Sequence, residues 1–309
     1  MQVSLELAHS SEKVMPKKAK KRKLKVMLAK HYKKGRIENW EGWFAEPKSD
    51  GIRVLVVIDR RLNVIYYSRN GRELHMLSHL DGEVRKMATT ALRLDETFGS
   101  GVVLDCEMVS KTGKFGDISG AIHRKNYTAT DARLLCWHMM PLTSLEKGRD
   151  TVKQFKRHTL VERIVTRRKL KFVWYRSPVK VGSHDDVMNV YEMHREQGYE
   201  GTVVKNLSRR WEGKRSDAWL KLKAEESVDV RVVGTKKGAG KYEGTLGALI
   251  VNYKGKNVPV SGMTDLQRRK FWRNHKSIVG KLIEVVYQEE TIHGSLRHPR
   301  YKRHRPDKE

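Results

Sequence analysis

Cysteine and long apolar stretches are scarce in this sequence of 309 residues. Its two cysteines, Cys106 and Cys136, cannot build a disulfide framework, so we expect a reducing, intracellular setting. No apolar stretch approaches the ~18 residues of a membrane helix, and no apolar segment typical of a secretory signal follows the charged N-terminus. These features argue against a membrane protein and against a small secreted scaffold.

Acidic residues are few relative to basic ones. The chain has 36 Asp and Glu against 64 Lys and Arg, a formal net charge of +28, which predicts a polyanionic partner. The hydrophobic content of 38% is enough for globular folding. The densest basic run is at residues 17–25, with seven lysines and arginines. This run fits a nucleic-acid-binding arm, a nuclear import signal or a solvated tail, and the pattern does not choose among them.

Short strands dominate the predicted secondary structure. Alternating or continuous apolar runs predict strands at 43–46, 52–58, 64–68, 102–109, 132–140, 202–206 and 219–223. Helical spacing predicts helices at 147–164 and 185–197. After Glu226, short β runs at 229–235, 246–253, 256–260 and 281–288 surround a helix near 264–274, a pattern typical of a small OB-type barrel. We therefore expect a basic, partly flexible arm at 1–35, a first domain at 36–226 and a second domain at 227–309.

One hexapeptide is the sharpest signal in the chain. Residues 48–53 read KSDGIR, a K-x-D-G-x-R pattern between two predicted strands. Alone, such a lysine is usually a solvated charge beside an Asp-Gly turn. Further short motifs follow it in order: SRNG at 68–71, LDCE at 104–107, EGTVVK at 200–205, WLKLK at 219–223 and RPDK at 305–308. The ordered series favours a functional interpretation over a chance match.

This series, over residues 43 to 308, resembles the covalent nucleotidyltransferase superfamily, and within it the compact ATP-dependent DNA ligases of viruses and bacteria. The resemblance implies an α+β fold: an adenylyltransferase domain of antiparallel sheets with flanking helices (ATP-grasp-like), then an OB-fold β-barrel. It implies sealing of nicks with 5′-phosphate and 3′-hydroxyl ends through a lysyl-AMP intermediate, with ATP and Mg²⁺ as cofactors. The partner would be nicked double-stranded DNA, without a membrane. We expect a monomer at the cellular DNA, cytoplasmic unless the basic run directs nuclear import.

The same resemblance assigns the catalytic lysines. Lys48 would attack the α-phosphorus of ATP and hold AMP as a phosphoramidate. Because a protonated amine is not a nucleophile, nearby cations are needed to favour its neutral form. Lys221 and Lys223 are two residues apart on a predicted strand, so both face one side, where they would also bind the α-phosphate. An exposed, solvated strand face is the alternative for this pair.

The remaining site residues come from the resemblance as well. The metal ligands would be Glu107 and Glu200, for which a structural ion pair is the alternative. The nucleotide-binding residues would be Glu46, Arg53, Arg69, Glu107, Trp137, Lys205, Arg305, Asp307 and Lys308. Within this set Glu46 would lie beside the adenine amino group and Trp137 would stack on adenine, unless Trp137 is a core residue. Arg53 and Arg69 would hold the ribose and the nick phosphate. Arg305, Asp307 and Lys308 would orient the leaving pyrophosphate.

Two residues depart from the family pattern. Cys106 stands where a glycine is usual before the glutamate, and His138 stands where an aspartate usually follows the stacking aromatic residue. Neither change removes the nucleophile or a metal ligand. Two alternatives stay open: an RNA ligase or capping guanylyltransferase of the same superfamily, and a non-catalytic basic protein that coats nucleic acid.

Overall fold

The computed structural model describes residues 24–111, 129–291 and 293–308, so positions 17–23 of the basic run lie outside the described residues. The chain divides into two compact units between Lys221 and Leu222. None of the helices in this part of the chain is long and apolar enough to cross a membrane.

Three sheets build the first unit. One has the strand order β1-β12-β10-β2-β9, with bounds β1 (Leu28–His31), β2 (Trp43–Lys48), β9 (Val179–Lys180), β10 (Gly201–Asn206) and β12 (Arg215–Lys223). Another has the order β4-β3-β5-β6-β8, with bounds β3 (Ile52–Ile58), β4 (Val64–Ser68), β5 (Val102–Ser110), β6 (Ala132–Pro141) and β8 (Val173–Trp174). The third is a pair, β7 (Arg149–Lys153) and β11 (Arg210–Glu212).

Alternation along β3 shows how the first unit is layered. Val54 and Val56 pack on one side with α1 (Asp81–Leu94) and α3 (Gln154–Arg168). Leu55 packs on the opposite side, with residues that include Trp219 of the other large sheet. The two remaining helices are α2 (Leu142–Lys147) and α4 (His184–Glu196). Helices on one face and a second sheet on the other follow from β3 being apolar on both sides.

Two sequence-based boundaries need correction. The predicted helix 147–164 is interrupted, because Gly148 adopts a left-handed φ of 72° after α2 and the chain then forms β7 before α3 starts at Gln154. The predicted arm 1–35 overlaps the folded unit, because β1 pairs in parallel with β12. The predicted α+β class, with antiparallel sheets and flanking helices, is confirmed.

The second unit is one five-stranded antiparallel sheet with the order β15-β14-β13-β16-β17. Its strands are β13 (Glu226–Lys237), β14 (Leu246–Tyr253), β15 (Lys256–Val260), β16 (Leu282–Tyr287) and β17 (Arg300–His304). The long β13 pairs with β16 along its first half and with β14 along its second, so the sheet curls around its core. A bridge from Ser261 to Arg300 joins the two edges. Helix α5 (Asp265–Arg273) begins at a capping box formed by Thr264 and Gln267.

Candidate active site

Lys48 is the last residue of β2, and the neighbouring strand β10 places a carboxylate against it. Gly201 is the register partner of Lys48, and the backbone N–H of Glu200 donates to the Lys48 carbonyl at 3.0 Å. The Lys48 ammonium forms an ion pair with the Glu200 side chain, which is only 6% exposed. Strand pairing therefore holds an amine and a carboxylate together over 152 positions of sequence.

The glycine of the hexapeptide, Gly51, is required by close packing against β5. A Cβ at this position would lie 2.4 Å from the Met108 carbonyl oxygen and 2.6 Å from Cγ of Glu107. Only glycine lets the turn after Lys48 approach β5 so closely. The close approach brings the nucleophile candidate and Glu107 into one site.

Arg53 is bound to a carboxylate that the sequence analysis did not select. Its Nε and Nη2 donate to the two oxygens of fully buried Asp105 at 2.8 and 2.6 Å, and its Nη1 donates to the Met27 carbonyl at 2.5 Å. Asp105 and Glu107 are two apart on β5 and share a face. The spacing of two residues places Asp105 on the same strand face as Glu107, but no motif in the sequence links Asp105 to Arg53.

Glu107 faces Arg53 across the β3–β5 pairing. Removal from water raises the pKa of Glu107 to about 7, against the opposing influence of Lys48 and Arg53; the charges of Asp105 and Glu200 raise it further. Cys106, between the two acids, points into the apolar core on the other side of the sheet. The replacement of the usual glycine therefore leaves the acidic face of β5 unchanged.

Glu46, Lys205 and two tryptophans form a second cluster. The Lys205 ammonium lies 2.5 Å from Oε2 of Glu46, and both side chains are nearly buried. The same ammonium lies 5.2 Å from the ring centre of Trp137 and 4.8 Å from that of Trp219. Burial raises the pKa of Glu46, while Lys205 opposes the rise. A nearly buried ion pair thus lies beside two aromatic rings, and this set is called the Glu46 cluster.

Two buried histidines adjoin this cluster, and sequence reasoning gave neither a role. His158 of α3 places Nδ1 3.6 Å from Oε1 of Glu46. The ring centre of His138 lies 6.1 Å from that of His158. Burial lowers the pKa of His138 to about 4 and that of His158 well below its usual value. No motif marks His158, because its contact with Glu46 joins a helix to a strand 112 positions earlier.

Lys221, Lys223 and Arg69, also predicted as site residues, are more exposed to solvent than Glu46. Lys221 and Lys223 end β12 on one face and are partly exposed, and the Lys221 carbonyl accepts from the Tyr32 N–H at 3.0 Å. Arg69 is exposed in the turn after β4. Among the described residues it makes no hydrogen bond or ion pair with Lys48, Glu107 or Glu46, so the structure does not bring it to them.

The C-terminal residues form a charged network in the second unit. Arg305 Nη1 lies 3.2 Å from Asp229, and its Nε and Nη2 bind Asp307 at 3.0 and 2.9 Å. Lys308 Nζ also binds Asp229, at 2.7 Å. Glu284 lies 3.6 Å from Arg305. All three predicted residues thus belong to one network with Asp229 of β13 and Glu284 of β16.

Two carboxylates beside Lys48, Glu107 and Glu200, are the candidate metal ligands. Within the described ranges no group of three or more His, Cys, Asp or Glu side chains could hold a metal ion. Glu107 and Glu200 both act electrostatically on each other and on Lys48. Mg²⁺ commonly uses one or two carboxylates and completes its shell with water and phosphate oxygens, so this donor pair fits it.

Comparison with known proteins matches both units. Residues 26–223 match the model of the ATP dependent DNA ligase domain, and residues 237–305 match that of the DNA ligase OB-like domain. The DNA ligase of Enterobacteria phage T3 is 23% identical over 307 residues, covering 84% of this chain and 88% of the phage protein.

Solved structures show the same architecture. Pmar-Lig_PreS3 superposes with a TM-score of 0.76 at 29% identity, over 91% of this chain and 68% of that chain. The ATP-dependent DNA ligase from bacteriophage T7, solved in complex with ATP, shares the fold with a TM-score of 0.56 at 21% identity, over 91% and 98% of the two chains. The predicted nucleotidyltransferase domain followed by an OB-fold domain is confirmed.

Proposed function

This chain belongs to the ATP-dependent DNA ligase family, and we propose that Lys48 is the residue on which it carries AMP during DNA joining. The observation that supports this assignment is the placement of the Lys48 amine at a strand end, paired with Glu200 beside Glu107. Attack of the amine on the α-phosphorus of ATP forms an N–P bond and breaks the bond to pyrophosphate. Glu200 orients the amine before that attack.

Two further displacements complete the reaction. An oxygen of a 5′-phosphate attacks the AMP phosphorus, the N–P bond breaks, and Lys48 recovers its amine. A 3′-hydroxyl oxygen then attacks the 5′-phosphorus, a phosphodiester bond forms, and AMP leaves. The partner is nicked double-stranded DNA, which the net charge of +28 supports, and the protein acts as a monomer inside the cell.

The Glu46 cluster is the proposed adenine site. Trp137 offers the aromatic face for stacking, and Oε1 of Glu46 is a buried acceptor with no hydrogen-bond partner in the described part of the chain. An exocyclic amino group of adenine would supply the missing donor. Lys205 holds the other oxygen of Glu46, and Arg53, fixed by Asp105, supports the ribose.

Phosphate charge is the proposed target of the remaining cations. Lys221 and Lys223 bind the α-phosphate, and Arg69 binds the nick phosphate. In the second unit Arg305, Asp307 and Lys308 orient the pyrophosphate leaving group. Glu107 and Glu200 are the residues that hold Mg²⁺, which, when bound, neutralises phosphate charge and acts as a Lewis acid.

Incubation of the full chain with Mg²⁺ and α-labelled ATP or GTP tests this function. We expect a covalent adduct with ATP and not with GTP, and sealing of a nicked DNA duplex that carries a 5′-phosphate. The same duplex without the 5′-phosphate is the matched control and should not be sealed. An adduct with GTP alone would indicate a capping enzyme, preference for an RNA nick would indicate an RNA ligase, and no adduct would contradict the proposal.

A further inference from the structure

The Glu46 cluster and the two histidines beside it contain an unusual concentration of buried polar atoms without hydrogen-bond partners. Within the described residues, Oε1 of Glu46 and both ring nitrogens of His138 and His158 are buried without a hydrogen-bond partner. Buried polar atoms nearly always have partners, so a group of five in one place requires an explanation. The adenine site of the proposed function accounts for Glu46. It does not account for the histidine beside it.

His158 is held rigidly against Glu46. Its neighbour on α3, Arg157, binds Asp150 at 2.9 Å and Asp95 at 2.8 Å, and this anchors the first turns of the helix. The imidazole is 3% exposed. It lies between the ring of His138 at 6.1 Å and that of Tyr175 at 6.4 Å. These contacts leave the ring little freedom to turn away from β2.

The two oxygens of Glu46 have different surroundings. Oε2 is bound by the Lys205 ammonium at 2.5 Å, whereas Oε1 faces Nδ1 of His158 at 3.6 Å. A movement of a few tenths of an ångström would make the second contact a hydrogen bond. Because burial keeps the His158 ring neutral, with its pKa well below the usual value, the ring carries one N–H. A carboxylate oxygen accepts, so the tautomer with hydrogen on Nδ1 suits this pair.

We propose that His158 is a specificity-determining residue that orients Oε1 of Glu46 toward the exocyclic amino group of the nucleobase. A carboxylate oxygen has room for two donors, so one N–H from His158 leaves a lone pair for the amine. Adenine presents a donor at that position, and guanine presents a carbonyl oxygen that the carboxylate repels. This role rests on the proposed function, because it takes the Glu46 cluster to be the adenine site.

Three substitutions separate this role from simple packing. His158→Leu keeps a similar apolar volume and removes both nitrogens. His158→Asn keeps an amide nitrogen near the position of Nδ1, and His158→Gln moves it toward that of Nε2. His79→Leu is the matched control, because His79 is a partly buried histidine of the first unit whose Nε2 donates to the Ala132 carbonyl at 3.3 Å.

The measured quantity is the ratio of self-adenylylation efficiency, kcat/KM, with ATP to that with purine riboside triphosphate, which lacks the amino group. Both kcat/KM values are measured on the same preparation, so a lower fraction of folded protein affects them equally and does not change their ratio. We expect His158→Leu to lower this ratio about tenfold or more, since hydrogen bonds to charged groups contribute at that level. His158→Asn should recover most of the ratio, His158→Gln less, and His79→Leu should keep the wild-type ratio.

An unchanged ratio in His158→Leu would overturn the inference. If the leucine variant does not fold, the asparagine and glutamine variants decide, and equal ratios in those two would overturn it as well. Failure of the proposed function is distinguishable, because the wild-type chain would then form no adduct with ATP at all.

Discussion

Two pairs of acidic side chains, one pair from each unit, lie in opposite environments. In the first unit Glu46 and Glu107 are removed from water, which raises their pKa values, that of Glu107 to about 7. In the second unit hydrogen bonds from Lys302 and Arg303 lower the pKa of Glu284 to about 2, and Arg305 lowers that of Asp307. Burial therefore dominates the pKa values of Glu46 and Glu107, although Lys205 pairs with Glu46, whereas charged hydrogen bonds dominate those of Glu284 and Asp307. Perturbed groups of the first kind are typical of reaction centres.

Replacing the nucleophile should have the largest effect. Lys48→Arg keeps a positive charge beside Glu200 but cannot form a stable lysyl phosphoramidate, so adduct formation should fall by at least about 10⁴-fold. The measurement is the rate of labelled adduct formation with ATP. Sealing of a pre-adenylated nick should survive in part, because that step needs no lysine nucleophile.

Lys86→Ala is the control for this substitution, since Lys86 is exposed on α1. If Lys48→Arg and Lys86→Ala form the adduct at the same rate, Lys48 is not the nucleophile. The reaction centre would then not lie among the buried acidic groups of the first unit.

Breaking one ion pair in each unit sharpens the comparison. Asp105→Asn removes the carboxylate that binds Arg53, whose side chain is 12% exposed, and should destabilise the protein by about 3–5 kcal/mol. Glu225→Gln removes the partner of Arg300, a pair whose side chains are 49% and 46% exposed, and should cost less than about 1 kcal/mol. Urea unfolding followed by far-UV circular dichroism measures both. Equal destabilisation by the two variants would contradict the account.

Acid should weaken the first unit through its buried histidines. Burial lowers the pKa of His138 to about 4 from 6.5. Between pH 6.5 and pH 4, His138 is therefore protonated in the unfolded chain and neutral in the folded chain. Stability is therefore lost as pH falls through this window, by about 3 kcal/mol for a group shifted this far. His138→Gln should remove that part of the pH dependence of the unfolding free energy.

His75→Gln provides the comparison for the acid experiment, because the His75 side chain is 81% exposed. This variant should follow the wild-type curve between pH 7 and pH 4. A His138→Gln curve that also runs parallel to wild type would show that His138 does not stay neutral in the folded protein.

Disrupting the C-terminal network should slow self-adenylylation by a smaller factor than replacing Lys48 does. Arg305→Ala should slow self-adenylylation about tenfold, since one charge that orients the leaving group is lost. Sealing of a pre-adenylated nick releases no pyrophosphate and should change less than about threefold. Arg300→Ala, at the start of the preceding strand β17, is the control and should spare both steps. Equal losses in both steps for Arg305→Ala would point to a general DNA contact.

Local signals predicted many elements of the fold. The observed strands Ile52–Ile58 and Val64–Ser68 have the predicted bounds, because β-branched runs on either side of a polar turn are a strong hairpin pattern. Helix α1 was not predicted, although Val84, Met87, Ala88 and Ala91 have helical spacing, because Gly82 and two threonines weaken the pattern. Strand β7 could not be predicted, since it depends on pairing with β11 more than 50 positions later.

Site residues that depend on contacts between distant positions were also missed by sequence-based prediction. The ordered motifs pointed to Lys48, Glu107 and Glu200, and these residues lie together in the structure. Asp105 and His158 were missed, because their partners, Arg53 and Glu46, reach them only through strand pairing and helix packing. Contacts between distant positions carry no local periodicity, so no spacing rule reveals them.

The most direct test of the account is to locate the AMP. The full chain is incubated with ATP and Mg²⁺, digested under conditions that preserve the phosphoramidate, and mapped by peptide mass spectrometry. We predict AMP on Lys48 alone, within the peptide that contains residues 46–53. AMP on a lysine of the second unit, or on any other lysine of the first, would contradict the claim that the desolvated centre around Lys48 performs the nucleotidyl transfer.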